Sequence, residues 1–134
     1  MKNKKLFCVL LVIFIILIAL GFILIRGLSG EDTWIKDSRG IWIEHGNPLD
    51  IPDKVLEQQQ AIFCANDLYN QEKENGTEFK SQCLGICGNY AIDVVSVPRV
   101  SEDNLIQNQC EEFRNDKVDS FIELDKEGNI VRII

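Results

Sequence analysis

Four cysteines are the residues of this 134-residue chain whose type and spacing best support chemistry: Cys64, Cys83, Cys87 and Cys110. Structural zinc sites usually use close pairs of thiolates, and only Cys83 and Cys87 form such a pair. A thioredoxin-like redox site needs Cys-x-x-Cys, whereas this pair has the spacing Cys-x-x-x-Cys. Four cysteines in a small domain outside the cytoplasm are typical of two disulfides.

The pairing of these cysteines is only partly constrained by the sequence. A Cys83–Cys87 bridge would close a very short loop, so it is the least favoured of the possible pairings. We therefore expect these two cysteines to divide between the helix that carries Cys64 and the segment that carries Cys110. Cys64–Cys83 with Cys87–Cys110 is the preferred interpretation, and the crossed pairing stays open.

An apolar stretch near the N-terminus bears on whether the cysteines lie outside the cytoplasm, where disulfides form. Residues 6–25 carry no charge, and as a helix they would span roughly 30 Å, the thickness of the hydrocarbon core of a bilayer. A cleaved signal peptide would have a shorter apolar region followed by small residues at the cleavage site, whereas Leu28-Ser29-Gly30 places leucine there. The sequence therefore predicts an uncleaved transmembrane helix that contacts membrane lipid through residues 6–25.

The charges on either side of this stretch predict its orientation. Lys2, Lys4 and Lys5 precede it, and Arg26 alone follows before the acidic residues begin. Positive charge is retained on the cytoplasmic side. We predict a single-pass protein of the cell membrane, with residues 1–27 forming a cytoplasmic N-terminus and transmembrane helix, and residues 28–134 forming an extracytoplasmic domain.

The outer domain is strongly acidic. The first 30 residues hold 4 of the 14 Lys and Arg residues and none of the 21 Asp and Glu residues, which leaves residues 31–134 with a net charge of −11. Binding to nucleic acid or to anionic lipid headgroups requires clustered cations. The charge therefore indicates no nucleic-acid partner, and it is compatible with a protein partner.

Two isolated residues suggest modification or catalysis. Asn75-Gly76-Thr77 is an acceptor sequence for N-glycosylation, although Asn-Gly is equally typical of the end of a helix. His45 is the only histidine, so a Ser–His–acid triad would have to use it, yet the sequence has no Gly-x-Ser-x-Gly motif. We predict no enzymatic activity, with a small surface hydrolase that uses His45 or an acidic cluster as the alternative.

Carboxylates are numerous but do not form a specific metal-binding motif. The segment 125–129 lacks the alternating ligands and terminal glutamate of a calcium-binding EF-hand loop, and a hairpin turn is the better interpretation. A local acidic cluster leaves weak Ca²⁺ binding open, and it comprises Glu111, Glu112, Asp116 and Asp119. We predict neither a cofactor nor a dedicated metal site.

The predicted elements combine one long helix with several strands. Apolar and polar residues alternate in patterns typical of strands and hairpins, and apolar residues recur at helical spacing between Asp50 and Lys73, where Asn75-Gly76 follows. Ala61, Cys64 and Leu68 form a second apolar stripe on this helix, so another part of the chain should pack over Cys64. The remaining predictions are a hairpin over 33–46, a loop over 83–88, a strand over 89–97, an exposed loop over 99–115 and a hairpin over 118–134.

Together these elements predict an α+β fold, in which an N-terminal transmembrane helix precedes a small disulfide-stapled domain. In that domain one long helix packs on an antiparallel sheet of about five strands. The arrangement resembles that of pilin-like proteins, which implies assembly through the apolar helix, although the pilin signal of a glycine before the apolar run and a glutamate shortly after it is missing. The leading hypothesis is a membrane-anchored domain that binds a partner or contributes to envelope structure.

Overall fold

The computed structural model describes residues 10–22 and 32–134. Residues 10–22 are helical (α1), and within the two described stretches no helix combines the length and the apolar character needed to cross a membrane. The predicted transmembrane span extends beyond α1 at both ends, and residues 6–9 and 23–25 lie outside the described residues.

The domain is of the α+β class, as predicted, and its regular elements are β1 Thr33–Lys36, β2 Trp42–His45, α2 Asp53–Glu74, β3 Gln82–Cys87, β4 Tyr90–Val94, α3 Glu111–Arg114, β5 Ser120–Leu124 and β6 Ile130–Ile133. Two short 3-10 turns, Ser101–Asn104 and Ile106–Asn108, lie between β4 and α3. The long helix α2 begins directly after Pro52, whose fixed φ suits the start of a helix. It ends before Asn75 and Gly76, as the sequence predicted.

The predicted single antiparallel sheet is wrong in two respects. The strands form a two-stranded hairpin, β1–β2, and a separate four-stranded sheet in the order β3–β4–β5–β6. In that sheet β4 and β5 are parallel, whereas the other neighbours are antiparallel. The parallel pair is possible because residues 95–119 form a long crossover, whereas a tight turn would have made β4 and β5 antiparallel.

The segment that contains Cys83 and Cys87 is a strand rather than the expected loop. β3 pairs with β4 along its length, with a shift of register between Cys83 and Gly85. Gly85 has a φ of 148°, a conformation that side-chain-bearing residues rarely adopt, and it faces Leu68 of α2. This irregularity hides the alternation of residues by which a strand is usually recognised.

The core lies between α2 and one face of the four-stranded sheet. The helix contributes Ala61, Ala65 and Tyr69, and the sheet contributes a set of buried residues that includes Ile92, Ile122, Leu124 and Ile133. The opposite face of the sheet is covered by the 95–119 crossover, with Ala91, Cys110 and Val118 at its centre. The side chains on this second face are the ones that form the polar site.

Candidate functional site

The four predicted cysteines form two disulfides, which connect both sides of the sheet to its edge strand β3. Cys64 of α2 is bonded to Cys87, and Cys83 is bonded to Cys110 in the crossover. The two β3 cysteines therefore divide between the helix and the Cys110 segment, as expected. The preferred pairing is wrong, and the crossed alternative is the one formed. A regular strand would place Cys83 and Cys87 on the same face, but the shift of register between Cys83 and Gly85 directs them to opposite faces of the sheet.

Polar side chains form a row across the second face of the sheet. In the strand register Asp93 of β4 lies between Cys83 of β3 and Glu123 of β5, and Glu123 is paired in turn with Arg132 of β6. Residues at paired positions project from the same face of a sheet. The register therefore brings two carboxylates and a guanidinium group together, although they are far apart in the sequence.

Glu123 is the centre of this row. It is only 4% exposed, and Arg132 donates two hydrogen bonds to it, from Nε to Oε2 at 2.6 Å and from Nη2 to Oε1 at 3.1 Å. Arg99, from the crossover, donates a third hydrogen bond to Oε1 of Glu123 and another to Oδ1 of Asn104. The hydrogen bonds that Arg132 donates to Glu123 raise the pKa of Arg132. A buried carboxylate is thus held between two guanidinium groups.

Asp93 has a perturbed carboxyl group beside this ion pair. Burial raises its pKa to about 6, against the opposing effect of a hydrogen bond donated by the Cys110 backbone N–H at 3.3 Å. The charge of Glu123 raises the pKa further, and that of Arg99 lowers it. Desolvation dominates because the crossover covers the carboxyl group without supplying a direct cationic partner.

A cavity of about 190 Å³ opens beside these residues, and Asp93, Arg99, Glu123 and Arg132 contribute to its lining. Its other walls include the amides Asn104, Asn108 and Gln109 and the rings of Phe113 and Phe121. The Arg99 and Arg132 side chains remain 34% and 42% exposed, so their guanidinium groups are accessible from the solvent. The cavity therefore offers hydrogen-bond donors and acceptors beside an aromatic wall.

The crossover that forms one wall of the cavity is fixed by Asp103. This side chain is 4% exposed, and its two carboxylate oxygens accept hydrogen bonds from the backbone N–H groups of Ser96 and Val100, at 3.0 and 2.8 Å. Burial opposes ionisation of Asp103, but these hydrogen bonds prevail and lower its pKa. The wall is consequently preorganised, a property that reduces the entropic cost of binding.

The same face brings together three groups of the types that ligate metals. Sγ of Cys83, Sγ of Cys110 and a carboxylate oxygen of Asp93 lie within 4.8 Å of one another. The two sulfur atoms are bonded to each other, so they do not present thiolates to a metal ion. In the oxidised protein this cluster does not fit a metal site.

The other residues singled out from the sequence lie away from this site. His45 is exposed at the end of β2, opposite Thr33, and it does not line the polar cavity. In the acidic cluster, Glu111 accepts a hydrogen bond from Asn115, and Asp119 accepts one from Asn89. Asn75 is exposed immediately after α2, which leaves its glycosylation a prediction.

The ion pair around Glu123 was not predicted from the sequence. Both carboxylates lie within apolar strand segments: Asp93 follows Ile92, and Glu123 lies between Ile122 and Leu124. A charged residue in a buried strand usually has a partner. The identity of that partner depends on the order of strands, and no local pattern gives this order.

A second, wider cavity of about 430 Å³ lies beside the Cys64–Cys87 disulfide, where Glu57 and Tyr90 contribute to its lining. Burial and the charge of Glu57 raise the pKa of Tyr90. The residues that line this second cavity form no ion pair of the kind that surrounds Glu123.

Comparison of the chain with protein-family models, with curated proteins and with solved structures gave no match. A functional hypothesis therefore has to depend on the geometry of these sites.

Proposed function

We propose that this chain is a single-pass membrane protein whose disulfide-stapled domain lies outside the cytoplasm and binds a protein partner, without catalysing a reaction. The polar cavity is the binding site in this proposal. The observation that carries it is the pair of guanidinium groups, Arg99 and Arg132, held on the buried carboxylate of Glu123 at the mouth of that cavity.

The membrane topology is supported by three properties of the chain. The apolar run over residues 6–25 is long enough to span a bilayer, and within it the side chains of α1 are largely exposed, as illustrated by Leu17 at 60%. The two disulfides are typical of an oxidising compartment. The lysines that precede the run favour a cytoplasmic N-terminus.

The binding role is supported by the hydrogen-bonding capacity that remains in the cavity. Arg132 uses two of its guanidinium N–H groups on Glu123, and the guanidinium has five in all. Because the side chain is still 42% exposed, it can donate to a carbonyl or carboxylate of a partner. Arginine and aromatic residues are enriched at the energetic centres of protein interfaces, and Phe113 and Phe121 lie beside the arginines here.

The test is crosslinking in intact cells, with a photoreactive amino acid replacing Gln109 at the cavity. We expect a crosslinked partner from this position and none from the same group at Asn70, which is exposed on α2. Arg132→Gln should abolish the crosslink, whereas Arg114→Gln removes an exposed arginine from α3 and should retain it. Circular dichroism of each purified variant checks that the domain is folded.

Topology is measured in the same cells by alkaline extraction of membranes and by protease accessibility of the domain. Retention in the membrane and digestion from outside are expected. Release by alkali would contradict the anchor. Equal crosslinking by the Arg132 and Arg114 variants would contradict the binding site, and turnover of a substrate in a panel of hydrolase assays would contradict the non-enzymatic assignment.

A further inference from the structure

The β1–β2 hairpin has two chemically different faces. Ile35 and Ile43 are directly paired across the strands, with Thr33 and His45 on the same face. The two isoleucines are 39% and 41% exposed. The other face carries Trp34, Lys36, Trp42 and Glu44. We refer to the face with the isoleucine pair as the outer face and to the other as the inner face.

The inner face attaches the hairpin to the rest of the domain. The Lys54 ammonium group of α2 lies 4.5 Å from the centre of the Trp42 ring, and Trp34 Nε1 donates a hydrogen bond to the Asp50 carbonyl oxygen at 3.0 Å. The buried Gln58 side chain accepts a hydrogen bond from the Trp42 backbone N–H at 2.8 Å. These contacts turn the outer face away from α2.

The outer face carries no acidic group in a domain whose net charge is −11, because its four residues, Thr33, Ile35, Ile43 and His45, include no carboxylate. Apolar exposure continues in the connection to α2, where Leu49 is 94% exposed and Ile51 is 56% exposed. An exposed apolar face without acidic groups is suited to a neutral, partly apolar environment.

The position of the hairpin in the chain identifies that environment. Ile25 ends the predicted transmembrane run, and Thr33 begins β1 eight residues later. Eight residues span at most roughly 26–29 Å when fully extended. If residues 6–25 cross the bilayer, the hairpin is therefore held close to the bilayer surface on the outer side.

We propose that the outer face of the hairpin lies on the headgroup region of a zwitterionic bilayer, with Ile35 and Ile43 inserted toward the acyl boundary. This inference rests on the proposed membrane anchor. Zwitterionic lipid fits this face because the acidic domain is repelled by anionic headgroups, whereas burial of apolar side chains at the interface is favourable without charge. Trp34 and Trp42 then lie near the interface, where indole is favoured.

Tryptophan fluorescence tests the proposal, because both tryptophans of the chain are in this hairpin. The full chain is reconstituted into phosphatidylcholine vesicles in which a fraction of the lipid carries bromine on its acyl chains near the headgroup. We expect brominated lipid to quench much of the emission. The double variant Ile35→Ser/Ile43→Ser should lose most of this quenching, whereas Leu105→Ser/Ile106→Ser, which changes exposed apolar residues of the crossover, should retain it.

The outcomes separate the anchor from the hairpin contact. A protein that alkali extracts from the vesicles would contradict the anchor itself. A retained protein that brominated lipid does not quench would overturn the hairpin contact alone, as would equal quenching of the native chain and the isoleucine variant. Crosslinking between copies of the reconstituted chain is measured in parallel. If the isoleucine variant loses these crosslinks while its quenching is unchanged, a second copy rather than lipid covers the face, which also overturns the proposal.

Discussion

Asp93 and Glu123 occupy paired positions on the parallel strands β4 and β5, so two carboxyl groups lie side by side on one face of the sheet. Their environments differ. Glu123 is held by two arginines, whereas burial raises the pKa of Asp93 to about 6. Neighbouring carboxyl groups that differ in this way give the domain a pH-dependent stability.

Asp93 should make the domain less stable as the pH rises. The folded state binds the Asp93 proton more tightly than the unfolded chain, because its pKa is raised from 3.8 to about 6. The stability contributed by this proton is fully present below the unfolded-state pKa of 3.8, and it is lost as the pH rises from there through the folded-state pKa of about 6. Asp93→Asn should therefore gain about 1–2 kcal/mol over the native domain near neutral pH, allowing for partial solvent screening, and almost nothing near pH 4.

Urea denaturation at several pH values measures this difference. Asp67→Asn, which removes an exposed carboxylate from α2, is the matched control and should retain the native dependence on pH. A constant difference between Asp93→Asn and the native domain across the interval would mean that Asp93 ionises normally in the folded state.

Gln58 should be required to hold the hairpin on α2. It is 2% exposed, and its side-chain amide donates to the Gly40 carbonyl oxygen at 3.0 Å and accepts from the Trp42 N–H at 2.8 Å. Gln58→Leu leaves both backbone groups without this partner, which should cost about 2–4 kcal/mol in urea denaturation. The exposed neighbouring substitution Gln59→Leu should change stability by less than about 0.5 kcal/mol. A loss of similar size in both variants would indicate a general effect on the helix.

Gly40 and Gly76 should respond differently to the same substitution. Both have positive φ, 85° and 77°, but a Cβ on Gly40 would collide with the Ile133 carbonyl oxygen, whereas a Cβ on Gly76 meets nothing within 4 Å. Gly76→Ala should cost about 1 kcal/mol from backbone strain alone. Gly40→Ala should cost about 1–3 kcal/mol more because of the collision. Thermal unfolding of the two variants measures the difference, and equal costs would show that the hairpin loop does not approach β6.

The disulfide pairing should be directly observable. Peptide mapping without reduction is expected to recover Cys64 linked to Cys87 and Cys83 linked to Cys110. Replacement of Cys64 and Cys87 together by serine should lower the free energy of unfolding by about 3 kcal/mol, because the bridge spans 23 residues of the unfolded chain. Recovery of a Cys64–Cys83 peptide would contradict the described arrangement of β3.

Several elements were predictable because they depend on neighbouring residues. The helix α2 follows from its apolar spacing and from Pro52 and Gly76 at its ends. The terminal hairpin follows from its turn, in which the Asp125 carboxylate accepts hydrogen bonds from the backbone N–H groups of Glu127 and Asn129. Strand β3 was missed because the bulge near Gly85 interrupts its alternation.

The candidate site was less predictable because it is formed across strands. Residues as far apart as Asp93, Glu123 and Arg132 become neighbours only when β5 is placed between β4 and β6. A Cys64–Cys83 bridge and a Cys64–Cys87 bridge close loops of similar length, so chain entropy does not distinguish them. The face of the sheet to which each cysteine points makes the choice.

By itself, the sequence determined the number of cysteines available for disulfides, the long helix, the two hairpins, the acidic charge of residues 31–134 and the apolar run that precedes them, because each is a property of composition or of local spacing. The tertiary structure alone decided which cysteines pair, that β4 and β5 are parallel, and that Asp93, Glu123 and Arg132 meet beside a cavity. These relationships depend on strand order and register, which are set by burial of the whole domain rather than by any one segment.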